Sequence, residues 1–223
     1  MGTWKTVCSD FTLEMRRFFK NCVSFKYLSK VLIHLALFSF FRFPKWHIFA
    51  TDQNRNYKKS VTNTALETKV DFYCEIGCGL AEIIGSLNKS GSQLFGVDTD
   101  ISVLKGARLL NNSIEFFNLN VFLSNNREKL FSMLDNSNAN SGMFILVNWA
   151  NSSQIEEFIG LIKGFKWRDL NTVHLIFDVR TSNSEDQKEF AYIPSRQLIE
   201  KFGGTEINTG DFERNICRVS FFL

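Results

Sequence analysis

The sequence is most constrained where an apolar run stops at glycines. Residues 71–76 read as a buried strand, Gly77-Cys78-Gly79 as a turn, and residues 80–87 as the start of a helix. A chain that leaves a strand through glycines and opens a helix lets backbone N–H groups approach a ligand closely, because glycine has no side chain in the way. Nineteen residues after Gly79, Asp98 closes the next apolar run in Phe95-Gly96-Val97-Asp98-Thr99-Asp100. A carboxylate there can accept both hydroxyl hydrogens of a ribose. The two features reinforce each other.

The rest of the chain repeats the alternation. Strands are expected at 93–98, 121–124, 143–148 and 172–179, and helices at 101–111, 127–134, 152–163 and 195–202. Ser152 or Ser153 caps the helix at 152–163, and Gly203-Gly204 ends the helix at 195–202. The polar stretches 135–142 and 180–189 read as loops, and 206–209 with 216–222 as a hairpin around 210–215. Strands alternating with helices imply an α/β fold, a doubly wound, mostly parallel sheet with helices on both faces. The C-terminal hairpin adds an antiparallel strand at or near one edge. With 2 prolines and 13 glycines in 223 residues, the composition opposes an all-β architecture rich in tight turns.

Charge divides the chain. Residues 1–60 hold 11 Lys or Arg against 3 acids, +8, and residues 61–223 hold 15 against 20, −5. A basic helical N-terminal extension over 1–60 therefore precedes a mildly acidic body over 61–223, and suggests contact with an anionic surface or substrate. At 100° per residue Arg16, Lys20, Lys26 and Lys30 fall within an arc of about 120°, with Phe11, Phe18, Cys22 and Phe25 on another side and Phe19 and Val23 intruding on the basic arc. Two readings stay open: a helical extension packed on the domain, or peripheral membrane contact through residues 11–43. The apolar run 31–41 has 11 residues and includes His34 and Ser39, whereas a spanning helix needs about 20. It lies too far into the chain for a secretory signal, so no cleaved leader is expected. Five cysteines, none in a C-x-x-C pair, and three separated histidines offer neither a disulfide framework nor zinc spacing. No metal is expected, and a reducing, cytoplasmic setting fits, with the inner face of the membrane as a place of peripheral contact.

A dinucleotide fingerprint would want a glycine three positions after Gly79, where Glu82 stands and would oppose a pyrophosphate. A P-loop is absent. Glu75-Ile76-Gly77-Cys78-Gly79 with Gly96-Val97-Asp98 instead closely resembles the first two motifs of class I S-adenosylmethionine-dependent methyltransferases, over roughly residues 60–223. The resemblance implies S-adenosyl-L-methionine as cofactor, Glu75 near its methionine end, Gly77 and Gly79 along it, and Asp98 on the ribose. It puts Asn125 near the adenine, where the family usually has an acid, and Asn148 of Val147-Asn148-Trp149-Ala150 facing cofactor and substrate. This last stretch departs from the Asn/Asp-Pro-Pro-Tyr/Phe motif of amino-group methylation, which argues against a base or glutamine target. Trp46-His47, Arg55-Asn56-Tyr57-Lys58-Lys59 and Asp211-Phe212-Glu213-Arg214-Asn215-Ile216 are similar to small methyltransferases of bacterial surface sugars. That similarity implies O-methylation of a small-molecule or lipid-linked sugar acceptor, a surface-polysaccharide precursor.

Methyl transfer from a sulfonium is an in-line displacement, so the protein mainly aligns the acceptor and excludes water. A sugar hydroxyl needs help to lose its proton. His47 is the candidate base and Asp178, at the end of the fifth strand, the second. Either can equally be structural, His47 as a packing residue and Asp178 as a brace. His174 reads as a hydrogen-bonded core residue, and Cys74 and Cys78 as small buried thiols. Two alternatives remain: a methyltransferase-like binding protein without catalysis, and an RNA methyltransferase whose Arg16, Arg17, Lys20, Lys58 and Lys59 meet phosphates. Nucleic acid is disfavoured as a partner because the basic segment contains no recognisable RNA-binding module.

Overall fold

The computed structural model describes residues 25–49, 55–180, 194–211 and 214–223. The sequence-expected amphipathic pattern upstream of residue 25, and the 180–189 loop beyond Arg180, lie outside the described residues.

Seven strands form one sheet: β1 (Phe72–Ile76), β2 (Gln93–Asp98), β3 (Glu115–Asn118), β4 (Ser141–Leu146), β5 (Thr172–Arg180), β6 (Thr205–Asp211) and β7 (Arg214–Phe222). Their order is β3-β2-β1-β4-β5-β7-β6. The first five are parallel, and β7 runs antiparallel between β5 and β6. The doubly wound sheet with its antiparallel C-terminal hairpin is as the sequence predicts. Strand order reverses between β1 and β4, and in open α/β sheets the crevice at such a reversal is where ligands bind.

The period of two along each strand divides the core between the faces. Phe72, Cys74 and Ile76 of β1 face the cluster that also holds α6 (Ser124–Asp135), α7 (Ser152–Gly164) and α8 (Gln197–Phe202). Tyr73 faces the other cluster, with α3 (Asn56–Leu66), α4 (Glu82–Ser86) and α5 (Ile101–Leu110). β1 is buried along its whole length, which is why it reads as a continuous apolar run interrupted only by Glu75. The phenylalanine bias finds part of its use on the first face. Phe131 lies 6.1 Å from Phe144, 6.2 Å from Phe158, 5.4 Å from Phe165 and 5.0 Å from Trp167, ring centre to ring centre. Truncating such a ring to alanine costs about 3–5 kcal/mol.

Helix starts follow local chemistry. Asp100 caps α5, its Oδ1 accepting from Ser102 N at 2.8 Å. Asn151, one residue before the expected serines, caps α7 through a capping box with Gln154.

The third strand is a correction. The apolar run at 121–124 is the approach to α6, and β3 is Glu115–Asn118, at the sheet edge with Glu115 and Asn118 exposed. Only Val121 of the apolar run is buried in the core, which gives the run its misleading strand-like composition.

The N-terminal segment packs on the body. In α1 (Phe25–Phe41), Tyr27, Val31, Leu37 and Phe38 join Phe43, Ile48, Leu80 and Val103 in a third cluster. Lys30 Nζ stands 3.0 Å and His34 Nε2 3.3 Å from the Glu82 carboxylate on α4. His34 Nδ1 is 3.2 Å from the carbonyl oxygen of Ile48, in the short helix α2 (Trp46–Phe49). Helix α3 crosses position 60 and buries Tyr57, Val61 and Ala65 against the sheet. Among the described residues, no helix is long and apolar enough to cross a membrane.

Candidate functional site

A cavity of about 360 Å³ opens at the C-terminal ends of β1, β2 and β4, where the strand order reverses. That volume lies in the range of small-molecule sites, roughly 300–1,000 Å³. Of the residues singled out in the sequence, His47, Glu75, Gly77, Gly79, Asp98 and Asn148 line it. Asn125 does not: it is exposed near the start of α6. Asp178 does not either, being 1% exposed behind Asn148.

The glycine turn serves differently from the expectation of free backbone donors. Gly77 N and Cys78 N both donate to the carbonyl oxygen of Val97, at 2.7 and 3.0 Å, and Gly79 N donates to Asp98 Oδ2 at 2.9 Å. These donors stitch β1 to β2. What the glycines supply is conformation and room. Gly77 has φ +76° and Gly79 φ +54°, values that side chains disfavour. A Cβ on Gly77 would lie 2.3 Å from Trp149 Nε1, and one on Gly79 2.9 Å from His47 Cε1. Two aromatic rings therefore close on the turn, Trp149 at Gly77 and His47 at Gly79. The Trp149 indole is fixed there by donating to the carbonyl oxygen of Ile76 and by an edge contact with Phe122, with ring centres 6.0 Å apart.

Asp98 holds the turn together. Its Oδ2 accepts from Gly79 N and its Oδ1 from Asp100 N, each at 2.9 Å. Each carboxylate oxygen can take a second hydrogen bond, and Asp98 lines the cavity. Glu75 is buried at the floor and accepts from Ile84 N of α4 at 3.0 Å. Burial pushes its carboxyl up to about 8, against the pull of that hydrogen bond and of Lys58. Glu82, read from sequence as hostile to an anionic ligand, is engaged by Lys30 and His34.

His47 is buried on the wall above Gly79. Burial, reinforced by the charge of Lys58, lowers its pKa to about 4, so the ring is neutral at physiological pH and a weak base.

Behind the wall lies a cluster that the sequence did not announce. Asp178 Oδ1 accepts from Asn148 N at 3.1 Å, while its Oδ2 has Arg214 Nε at 3.6 Å and, among the described residues, no hydrogen-bond partner. Arg214 Nη1 donates to Asn148 Oδ1 at 3.1 Å, and its guanidinium lies 4.5 Å over the Tyr57 ring. Burial raises the Asp178 carboxyl, and Arg214 and the Asn148 N–H oppose the rise. The pair holds Asn148 at φ +74°, a left-handed conformation that asparagine tolerates better than most residues. Arg214 thereby links two parts of the cavity wall, Asn148 at the end of β4 and Tyr57 on α3. Its place in a sequence-similar stretch was the only signal available beforehand.

The remaining wall comes from the segment after β3, with Leu119, Asn120, Val121 and Phe122. These residues were missed because the third strand was placed too late. Among the described residues, no group of three or more His, Cys, Asp or Glu could hold a metal ion.

No protein-family model matches the chain, and no curated protein matches it significantly. Solved structures do share its fold. The fibrillarin/Nop5p complex is 9% identical with a TM-score of 0.51, over 75% of this chain and 83% of that one. The methyltransferase domain of bacterial CtHen1 is 16% identical with a TM-score of 0.47, over 74% and 98%. An RNA methyltransferase from Salinibacter ruber, solved with S-adenosyl-L-homocysteine, is 12% identical with a TM-score of 0.45, over 73% and 88%. At these identities the likeness is one of fold, the Rossmann-like fold of class I methyltransferases. One expectation is corrected here: the reading that nucleic acid is disfavoured as a partner is withdrawn, since the fold, shared with the fibrillarin/Nop5p complex, does not separate one class of acceptor from another.

Proposed function

We propose that the chain is a methyltransferase that uses S-adenosyl-L-methionine. The observation that carries the reading is the convergence of Glu75, Gly77, Gly79 and Asp98 on one cavity at the strand-order reversal. The fit follows from the wall. Asp98 offers the second acceptor capacity of its carboxylate oxygens to ribose hydroxyls, and Leu119, Val121 and Phe122 offer an apolar slot for adenine, taking the place of Asn125. Glu75, whose raised carboxyl would ionise more readily beside a positive charge, and the Trp149 ring suit the cationic methionine end.

S-adenosyl-L-methionine would supply an electrophilic methyl group on a sulfonium. The chain's own work is alignment and exclusion of water. Trp149 and His47 narrow the approach to the turn, and Arg214 with Asp178 fixes Asn148 in the cavity wall. In this reading His47, neutral and in the wall, takes the acceptor's proton as it leaves, and Asp178 is a positioning residue. Its burial behind Asn148 keeps it from the acceptor.

The acceptor we propose carries phosphate. The +8 charge of residues 1–60 supports that chemistry, which two sources share: RNA, and a nucleotide-activated or lipid-linked sugar. Only the short matches around Trp46-His47, residues 55–59 and residues 211–216 favour the sugar.

Two measurements test the reading. Calorimetric titration with S-adenosyl-L-methionine separates it from an empty, non-catalytic fold, and absence of binding at millimolar ligand sinks it. Incubation with the radiolabelled cofactor and RNA, nucleotide sugars or lipid-linked oligosaccharides then shows which acceptor takes up label.

A further inference from the structure

Helix α1 is apolar on two sides. One side is the packed face of Tyr27, Val31, Leu37 and Phe38. On the other, Phe25 is 80% exposed, Leu32 50%, Ile33 47% and Phe40 79%, with Ala36 exposed among them. At 100° per residue these five positions share an arc of about 100°. Phe25 and Phe40 are fifteen residues apart, so the stripe extends about 22 Å along the helix. Single exposed apolar side chains are ordinary, whereas a stripe broken only by Ser29, with a phenylalanine at each end, marks a contact surface.

The surrounding charge selects the occupant. Residues 25–50 contain Lys26, Lys30, Arg42 and Lys45 and no Asp or Glu, within the +8 of residues 1–60. A second copy of the chain would bring like charge against like charge. An RNA backbone would meet the basic residues but leave the aliphatic stripe in water. An anionic bilayer satisfies both: the phenylalanine, leucine and isoleucine side chains enter the acyl boundary while Lys26, at the edge of the stripe, meets the headgroups and the net positive charge of the segment adds to the attraction, Lys30 being turned inward to Glu82. We propose that the outer face of α1 docks on an anionic lipid bilayer, with the helix axis in the membrane plane.

The placement has a consequence for the cavity. The opposite side of α1 holds Glu82 of the cavity wall through Lys30 and His34, and α1 leads into α2, which carries His47. A docked α1 sets the cavity within about one helix diameter, roughly 10 Å, of the headgroups. The docking itself does not depend on the methyltransferase reading.

The test is co-sedimentation of the full chain with vesicles of equal parts phosphatidylglycerol and phosphatidylcholine, against phosphatidylcholine alone. Wild-type protein is expected to sediment with the anionic vesicles, less so as salt rises. The Phe25→Ser/Phe40→Ser variant is expected to lose at least about tenfold in partitioning, with unchanged thermal unfolding, because both side chains lie in solvent. Leu32→Asp, which sets a carboxylate mid-stripe, is the second variant and is expected to lose as much. Wild-type protein that ignores anionic vesicles overturns the proposal, as do well-folded variants that bind like wild type. A wild-type dimer that the variants convert to monomer assigns the face to a second copy, and RNA retention that the variants abolish assigns it to nucleic acid. Either result also overturns it.

Discussion

Replacing Asp98 with asparagine separates the two tasks the geometry gives that residue. In the fold, its two oxygens accept from Gly79 N and Asp100 N, each at 2.9 Å. An asparagine amide has one acceptor oxygen, so one backbone N–H must face an NH₂ group and the other keeps only a neutral partner. Hydrogen bonds to charged groups contribute about 1.5–3 kcal/mol each, and this site is only partly buried, so the loss is about 2 kcal/mol. For a chain of this size the melting temperature should fall by about 4–8 °C. If Asp98 also binds the ribose, affinity for S-adenosyl-L-methionine, measured by calorimetry below the melting range, should fall about ten- to a hundredfold. The readouts fail independently. An unchanged melting temperature would refute the claim that Asp98 fastens the turn, and affinity within twofold of wild type in a destabilised variant would move the ribose anchor elsewhere.

Two further perturbations probe the walls of the turn. His47 is held near pKa 4 against 6.5 when unfolded, so between those values the unfolded chain binds more protons than the folded one. Its stability contribution is complete above about pH 6.5 and is lost as pH falls to about 4, by roughly 3 kcal/mol in all. Urea unfolding of wild type and His47→Gln at pH 7.5 and pH 5 should show a smaller acid loss in the variant. The raised carboxyls of Glu75 and Asp178 act in the opposite direction in both proteins and cancel in the comparison. Equal losses would mean that His47 is protonated in the fold. Gly77→Ala forces a Cβ to φ +76° and into the Trp149 indole, for a combined cost of about 2–4 kcal/mol. Adding Trp149→Ala should recover part of that loss in a double-mutant cycle, and strict additivity would show that the indole does not rest on the turn.

What the sequence made legible follows from how locally each feature is determined. β1 and β2 carry their own limits, apolar runs ended by Gly77 and by Asp98, and both stand where expected. β3 is an edge strand with few buried positions, and the apolar residues 121–123 after it mimicked a strand, so the expectation fell on Asn125 while residues Leu119–Phe122 line the cavity. The Asp178–Arg214–Asn148 cluster joins residues that only the antiparallel insertion of β7 beside β5 brings together. No spacing rule finds it.

Glu82 shows best how a local argument can be right in its physics and incomplete in its conclusion. A carboxylate in the first turn of a helix is favourable to the helix and unfavourable to an anion bound at its N-terminus. From sequence, that disfavours a pyrophosphate. In the fold, the same carboxylate is the anchor for Lys30 and His34, some fifty residues earlier in the chain, and ties α1 to the cavity wall. The glycine turn shows the same logic. With the N–H groups of Gly77, Cys78 and Gly79 spent on Val97 and Asp98, the glycine turn itself offers no free backbone donors to a phosphate. The site offers instead carboxylate acceptors and an aromatic ring. Those suit hydroxyl groups and a cationic sulfonium, so the features that disfavour a pyrophosphate cradle are also the ones that suit the proposed cofactor.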